Sequence, residues 1–213
     1  MLNNLDPATI IARVIVLLIA FTLHELAHAL TADYLGDPTP RNMGRITLNP
    51  LKHLDPFGTI LLIIAGFGWA KPVMTNPMNM RGNPRTSMAI VALAGPVSNI
   101  IMAVLAALVF RLGPFSTTSF APSGYLPSPS YVLFEFVWIN LILAFFNLIP
   151  VPPLDGSRVL YAILPGEFAY RIRPFEQYGF IILMMVVFFV PSVLNTLVGL
   201  PASITLRFLL GLA

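Results

Sequence analysis

Charged residues are scarce in this 213-residue chain: they make up 10% of it, whereas 57% of the residues are hydrophobic. A soluble domain carries roughly 25% charged residues, so a chain this poor in charge could not cover its surface in water. Several apolar runs reach the ~20 residues that a helix needs to cross a bilayer. We therefore expect an all-α polytopic membrane protein of about four to six transmembrane helices, formed by one domain over residues 1–213.

Cysteine is absent, which excludes disulfides, thiolate zinc sites and a cysteine nucleophile. A metal site must therefore use His, Asp or Glu. Lys and Arg outnumber Asp and Glu by 12 to 9, but they are scattered and lack interleaved aromatic residues, so we expect no nucleic-acid partner. The first apolar run is too long for a signal peptide and is expected to stay attached.

The apolar runs predict four secure spanning helices. The first begins at Asp6-Pro7, because proline suits the first helical position. A run over 58–70 is too short to span comfortably. The four predicted spans are 7–35, 86–112 with an interruption at Gly95-Pro96, 131–149, and 175–198, which is followed by an apolar tail over 201–213.

We also expect a small membrane-associated β element. Residues 67–74 contain glycine-flanked aromatics and a proline, which disfavour a helix and suit an edge strand, and the alternating run 45–48 could pair with it. This element could be a substrate platform. His53, in the turn-rich segment between the two runs, could tune the protonation of the site or orient a ligand, or it could be a solvated histidine in an interfacial loop.

Basic residues indicate how the chain crosses the cell membrane. Nine of the twelve lie in 35–85 and 151–174, and none lies in the loop 113–130. Because Lys and Arg collect in short cytoplasmic loops, the first two segments are expected inside and 113–130 outside, provided that 58–70 does not cross. The ends of the first and third spans and the start of the second would then meet near the cytoplasmic face.

The sequence His-Glu-Leu-Ala-His at 24–28 is the strongest signal for chemistry. On a helix, His24 and His28 share a face and can hold one zinc ion, while Glu25 lies beside the open coordination position. Zinc lowers the pKa of a bound water towards neutrality, and Glu25 can accept the proton as a base. Two of the three histidines of the chain lie in this apolar span, where ionisable groups are usually functional.

A catalytic zinc ion normally has three protein ligands, so a third is required. Asp155 is the best candidate, because the segment 152–156 (Pro-Pro-Leu-Asp-Gly) ends a span at the right depth and holds a carboxylate on irregular backbone. Two alternatives remain: Asp155 could cap the following helix, and His53 could be the third ligand instead.

Three motifs together resemble the site-2 protease family of intramembrane zinc metalloproteases. They are the pentad at 24–28, Gly-Pro-Val-Ser-Asn at 95–99, and Asn-Leu-Ile-Pro-Val-Pro-Pro-Leu-Asp-Gly at 147–156, in the order of the family. The resemblance implies zinc at His24, His28 and Asp155, Glu25 as the base, and cleavage of transmembrane helices near the cytoplasmic face. It also implies the compact branch of the family, because no loop can hold a PDZ domain of ~90 residues.

Asn99 and Asn147 are the next candidates. A buried amide in a span needs a partner, so each could donate to an oxyanion or to the substrate backbone. Each could equally join packed helices by a hydrogen bond, with Gly95 allowing a close approach.

The predicted function is an intramembrane zinc endopeptidase that cleaves single-span membrane proteins or signal-peptide remnants, as in regulated intramembrane proteolysis. The helical substrate must first unwind, and strand addition to 67–74 would hold the opened segment. The alternative is a zinc-binding membrane carrier or a catalytically silent scaffold. A carrier needs no base beside the metal and generally shows repeated halves, which this chain lacks.

Overall fold

A computed structural model describes residues 6–58, 68–115, 125–172, 174 and 176–212. Its main helices are numbered α1 to α7 in chain order. Their bounds are Pro7–Tyr34 (α1), Pro84–Leu112 (α2), Pro129–Asn147 (α3), Asp155–Ile163 (α4), Gly166–Ile172 (α5), Glu176–Phe189 (α6) and Pro191–Leu210 (α7). The middle of α7, Asn195–Gly199, is π-helical.

Helices α1, α2, α3 and α7 are each long and apolar enough to cross a membrane. Their outward faces carry exposed apolar side chains, such as Ile15, Leu105 and Phe208. Such faces suit lipid better than water. The described residues thus confirm the predicted all-α membrane architecture with four candidate spans.

Three of these spans begin in the same way. Asp6, Asn83 and Ser128 each accept a hydrogen bond from a first-turn backbone N–H, at 2.9, 2.9 and 3.2 Å, and a proline follows each cap. Proline fits there because that N–H has no partner inside the helix. The start at Asp6-Pro7 was predicted, whereas α2 and α3 begin two residues before the predicted 86 and 131.

The predicted interruption at Gly95-Pro96 is wrong, because α2 continues through it. Proline in a helix removes one backbone hydrogen bond and crowds the carbonyl four residues earlier. The loss of this one backbone hydrogen bond does not end the helix. The Ser98 hydroxyl donates to the Gly95 carbonyl at 2.7 Å on the same turn.

The predicted fourth span, 175–198, is also wrong. Helix α6 ends at Phe189 after 14 residues, Val190 leaves helical geometry (φ −133°, ψ 59°), and Pro191 begins α7. A proline disfavours helical backbone in the preceding residue and donates no hydrogen bond. The predicted tail, 201–213, belongs to α7 as far as Leu210, and residues 175 and 213 lie outside the described residues.

The predicted β element is not found among the described residues, where one isolated antiparallel bridge joins Leu54 and Ala70. Residues 68–76 form no regular helix or strand apart from this bridge, and side chains occupy backbone groups that a strand would need. The Arg45 guanidinium donates to the carbonyls of Lys71 and Pro72, at 2.9 and 2.6 Å, and to that of Lys52. The run 45–48 therefore contacts this segment through a side chain and not as a strand; residue 67 lies outside the described part.

The end of α1 and the start of α2 lie at the same end of the molecule. The Arg81 N–H donates to the Leu35 carbonyl at 2.7 Å, and Ala32, Met80 and Val91 pack together. The buried Asp37 carboxylate accepts hydrogen bonds from the Asn76 backbone, from Thr39 and from the Asn79 amide. The chain between α1 and α2 therefore returns to the end that it left, although 59–67 lie outside the described residues.

The main apolar core lies between α2, α3 and α7. Small side chains on α2 let the three helices approach closely, which is typical of helix packing in membranes. The buried members are Ala103, Ala106, Ala107 and Phe110 on α2, Val137 and Leu141 on α3, and Ala202, Leu206 and Leu210 on α7. This packing leaves the other faces of α2 and α3 to meet α1.

Candidate metal centre

Three potential metal ligands converge from two distant parts of the chain. His24 and His28 lie one turn apart on α1, and Asp155 is the first residue of α4. Asp155 Oδ2 lies 3.3 Å from Nε2 of each histidine, and the two Nε2 atoms are 3.0 Å apart. The predicted trio is therefore together, and it forms the group of possible metal ligands found within the described residues.

The spacing of these three atoms fits zinc. In a tetrahedral site with bonds of about 2.0 Å, ligand atoms lie about 3.3 Å apart. Asp155 Oδ2 is also buried without a hydrogen-bond donor in the described part of the chain. A buried carboxylate oxygen without a donor is costly, so a cation at this point would satisfy it. The donor set and its spacing thus suit a zinc ion with one open position.

The Nδ1 atoms of both imidazoles, which point away from the site, are held by hydrogen bonds. His24 Nδ1 lies 2.5 Å from Asn99 Oδ1, and His28 Nδ1 lies 2.7 Å from the Val91 carbonyl. Both partners are acceptors, so each Nδ1 carries the proton and each Nε2 presents its lone pair to the site. Both Nε2 atoms are therefore available to a metal ion.

Asn140 extends this arrangement by one residue. The Asn99 amide donates to Asn140 Oδ1 at 2.8 Å, and the Asn140 amide donates to the Phe136 carbonyl at 2.8 Å. Asn99 and Asn140 are fully buried. Each group in this series of hydrogen bonds, from His24 to the Phe136 carbonyl, donates to the next one. The sequence analysis did not single out Asn140, although its position in an apolar span was a usable signal.

Both ends of the Asn99 amide are therefore engaged: its oxygen accepts from His24, and its nitrogen donates to Asn140. Asn99 is not among the residues that line the cavity, and an oxyanion role for it stays a prediction. Asn147 does line the cavity, while its amide donates to the Leu143 carbonyl of its own helix at 3.0 Å. An oxyanion role for Asn147 therefore stays a prediction.

His53 lies apart from this centre. It is buried, its Nε2 lies 2.9 Å from the Thr47 carbonyl, and it neither lines the cavity nor belongs to the ligand group. The alternative of a solvated histidine is wrong, because its side chain is fully buried. Its position favours a role in holding the loop.

Gly95 of α2 is the point where the second helix meets the histidines. A Cβ atom at this position would lie 2.5 Å from His24 Cε1 and 2.6 Å from His24 Nε2. Real carbon atoms do not approach so closely, so only glycine allows α2 to pass this close to the rings. The predicted close approach at Gly95 is thus made to His24 and His28.

Glu25 lies in the same cavity, which has a volume of about 380 Å³. Its Oε2 accepts a hydrogen bond from the Val73 backbone N–H at 3.0 Å. Helices α1, α2, α3 and α6, the segment 68–75 and the start of α4 form the walls. The Trp69 and Phe180 rings meet edge to face, with centroids 5.7 Å apart, and join this segment to α6.

Asp155 is the first residue of α4, and it supplies the one carboxylate among the three potential ligands. Asp155 is not the helix cap, because Leu154 occupies that position, so the capping alternative is wrong. An anionic oxygen beside two neutral imidazoles offsets part of the charge of a divalent metal.

Comparison with known proteins agrees with this centre. The chain is 44% identical over 180 residues to YwhC of Bacillus subtilis (strain 168), provisionally named a zinc metalloprotease, and the match covers 81% of this chain and 78% of YwhC. It is 35% identical over 177 residues to Rip2 of Mycolicibacterium smegmatis, which carries the same provisional description, and the match covers 79% of this chain and 63% of Rip2. The zinc metalloprotease MJ0392 of Methanocaldococcus jannaschii is 24% identical over 156 residues, with 73% of this chain and 35% of that protein covered.

No solved structure matches the chain. The model of Peptidase family M50 matches residues 12–192, a region that includes His24, Glu25, His28 and Asp155. The chain therefore belongs to Peptidase family M50, the site-2 protease family that its motifs predicted.

Proposed function

We propose that this protein is an intramembrane zinc endopeptidase, with His24, His28 and Asp155 as the metal ligands and Glu25 as the base. The observation that carries the proposal is the convergence of three ligand atoms, 3.0–3.3 Å apart, in a cavity that also holds Glu25. Zinc bound there would polarise a water molecule and the substrate carbonyl.

Four residues around the metal then have distinct roles. Glu25 accepts a proton from the attacking water and passes it to the leaving amine. The Val73 N–H orients the Glu25 carboxylate by its hydrogen bond. Asn99 holds the His24 ring, with Asn140 behind it. Together they fix the base and the ligands before a substrate arrives, which limits the reorganisation needed during the reaction.

The substrates we propose are transmembrane segments of single-span membrane proteins or signal-peptide remnants. A helical peptide bond is shielded by its own hydrogen bonds, so the segment must unwind before cleavage. Residues 68–75 border the cavity, so an unwound peptide could lie against their side chains, such as that of Trp69. This arrangement would suit regulated intramembrane proteolysis by a single domain.

The decisive experiment compares Glu25→Gln with wild type on a model single-span substrate in proteoliposomes. We expect Glu25→Gln to lose cleavage by at least roughly 100-fold while it retains about one zinc per chain, because the base is lost and the ligands remain. Glu167→Gln, at an exposed position on α5, is the matched control. Equal cleavage by wild type and Glu25→Gln would refute the base assignment, and zinc transport without cleavage would favour the carrier alternative.

We also propose that the site lies near the cytoplasmic face of the cell membrane. Because the chain has no cysteine, single cysteines at Leu126 and Arg81, both exposed, give a clean accessibility test in intact cells. The Leu126 label should react with an impermeant reagent and the Arg81 label should not. The reverse pattern would place the site at the outer face.

A further inference from the structure

A second cavity, of about 280 Å³, lies beside the metal centre, between the start of α2, helices α4 and α5, and the start of α6. Four polar side chains line it: Arg85, Arg158, Tyr161 and Glu176. Pro77, Pro84, Met88, Ala162 and Ala169 complete its wall. None of these polar residues was assigned a role by the proposed proteolysis.

The two arginines come from different helices and face the same space. Both side chains are exposed, and within the part of the chain that the structure describes no hydrogen bond or ion pair engages either guanidinium. The Arg85 guanidinium packs against the backbone of Gly166, where a Cβ would lie 3.3 and 3.4 Å from its two Nη atoms. Two unpaired guanidiniums from separate elements match the oxygens of a phosphate group.

The cavity also contains a negative charge at one side. The Tyr161 hydroxyl and the Glu176 carboxylate both line this side. Burial and this carboxylate raise the pKa of Tyr161, so the hydroxyl stays protonated. A ligand with only negative charge would be repelled by Glu176, whereas a ligand that also carries an ammonium group would be attracted to it.

The depth of the cavity matches the lipid headgroups. Arg85 lies in the first turn of α2, a helix long and apolar enough to span the membrane, so it lies where a span leaves the hydrocarbon core. Ile163 and Phe168, next in sequence to the cavity residues Ala162 and Ala169, are 77% and 56% exposed. Apolar side chains beside a charged cavity suit a molecule with acyl chains.

We propose that this cavity binds the phosphoethanolamine headgroup of a membrane phospholipid, with the phosphate held by Arg85 and Arg158 and the primary ammonium by Glu176. The ammonium can donate hydrogen bonds to the carboxylate, which the fully methylated nitrogen of a choline headgroup cannot do. The site therefore distinguishes two headgroups that share the same phosphate and the same net charge.

Native mass spectrometry of the detergent-purified protein, given equal amounts of phosphatidylethanolamine and phosphatidylcholine with identical acyl chains, tests the proposal. Wild type should retain one phosphatidylethanolamine about tenfold more than phosphatidylcholine. Glu176→Gln should abolish this preference while phosphate-dependent binding of both lipids persists. The double variant Arg85→Gln/Arg158→Gln should lose at least about tenfold of the retention of either lipid.

Arg171→Gln, an equal loss of charge at an exposed position of α5 outside the cavity, is the control and should bind as wild type does. Thermal unfolding of each variant checks that the fold is intact. Equal retention of the two lipids by wild type, or unchanged retention in the double arginine variant, would overturn the proposal. Displacement of the lipid by millimolar inorganic phosphate would also overturn it, because the ligand would then be the free anion.

Discussion

Replacement of Gly95 by alanine separates the stability of the helix from the integrity of the metal centre. The new methyl group would lie 2.5 Å from His24 Cε1, whereas ordinary van der Waals contact begins at 3.4 Å. The His24 ring, or α2 itself, must therefore move by roughly 0.9 Å. Zinc–ligand distances tolerate only about 0.2 Å of displacement.

The two effects of this substitution have opposite signs. Alanine in a helix interior is about 1 kcal/mol more favourable than glycine, whereas overpacking a tight contact typically costs about 1–3 kcal/mol. We therefore expect the metal-free variant to differ from wild type by no more than about 2 kcal/mol in unfolding free energy. Its zinc affinity should fall by at least roughly 100-fold, since loss of an outer-shell partner alone costs 10–100-fold.

Competition with a chelator measures the zinc affinity, and denaturant unfolding of the chelator-treated protein measures stability separately. Val97→Ala is a matched control, because Val97 lies two residues further along α2 and is 47% exposed. Wild-type zinc affinity in Gly95→Ala would show that the histidines are not confined as described. A variant that fails to fold even without metal would show instead that the contact supports the whole helix pair.

Three further predictions address the surroundings of the site. Asn140→Leu leaves the buried Asn99 amide without its acceptor, so zinc affinity should fall about 10–100-fold in a chelator titration, and an unchanged affinity would contradict the positioning role. Asp155→Ala should lose most bound zinc by elemental analysis whereas His53→Ala should keep it, and the opposite result would make His53 the ligand. Burial alone would raise the pKa of Asp37, but hydrogen bonds from neighbouring donors hold this pKa below 3.8. The contribution of Asp37 to stability is therefore present above about pH 4 and is lost as the pH falls below that value. The difference in unfolding midpoint between wild type and Asp37→Asn should shrink as the pH falls, and a difference independent of pH would refute this.

Local chemistry made part of this molecule predictable. The pentad at 24–28 places two imidazoles on one helical face whatever surrounds it, so their proximity follows from the helical repeat alone. Asp6-Pro7 marks a helix start by capping, and the same logic holds at Asn83 and Ser128. Asp155 was found because few acids lie at a suitable depth.

The remaining features depend on contacts between distant segments. The partner of Asn99 follows from how α2 packs on α3, and sequence spacing carries no information on that packing. The expected strand failed because the Arg45 side chain reaches the carbonyls of Lys71 and Pro72, and a long flexible side chain has many possible targets. The break at Pro191 was open to prediction, since proline ends helices, but the apolar run continued across it and concealed the boundary.

The position of the ligands along the chain has a mechanical consequence. More than half of the sequence separates His28 from Asp155, and that stretch contains both α2 and α3. A metal ion bound by His24, His28 and Asp155 would act as a removable cross-link that closes a very long loop, and long loops are those whose closure costs most entropy. Loss of the ion would free the segment that follows α3 from α1, so a soluble protease should cut the chelated protein first between α3 and α6.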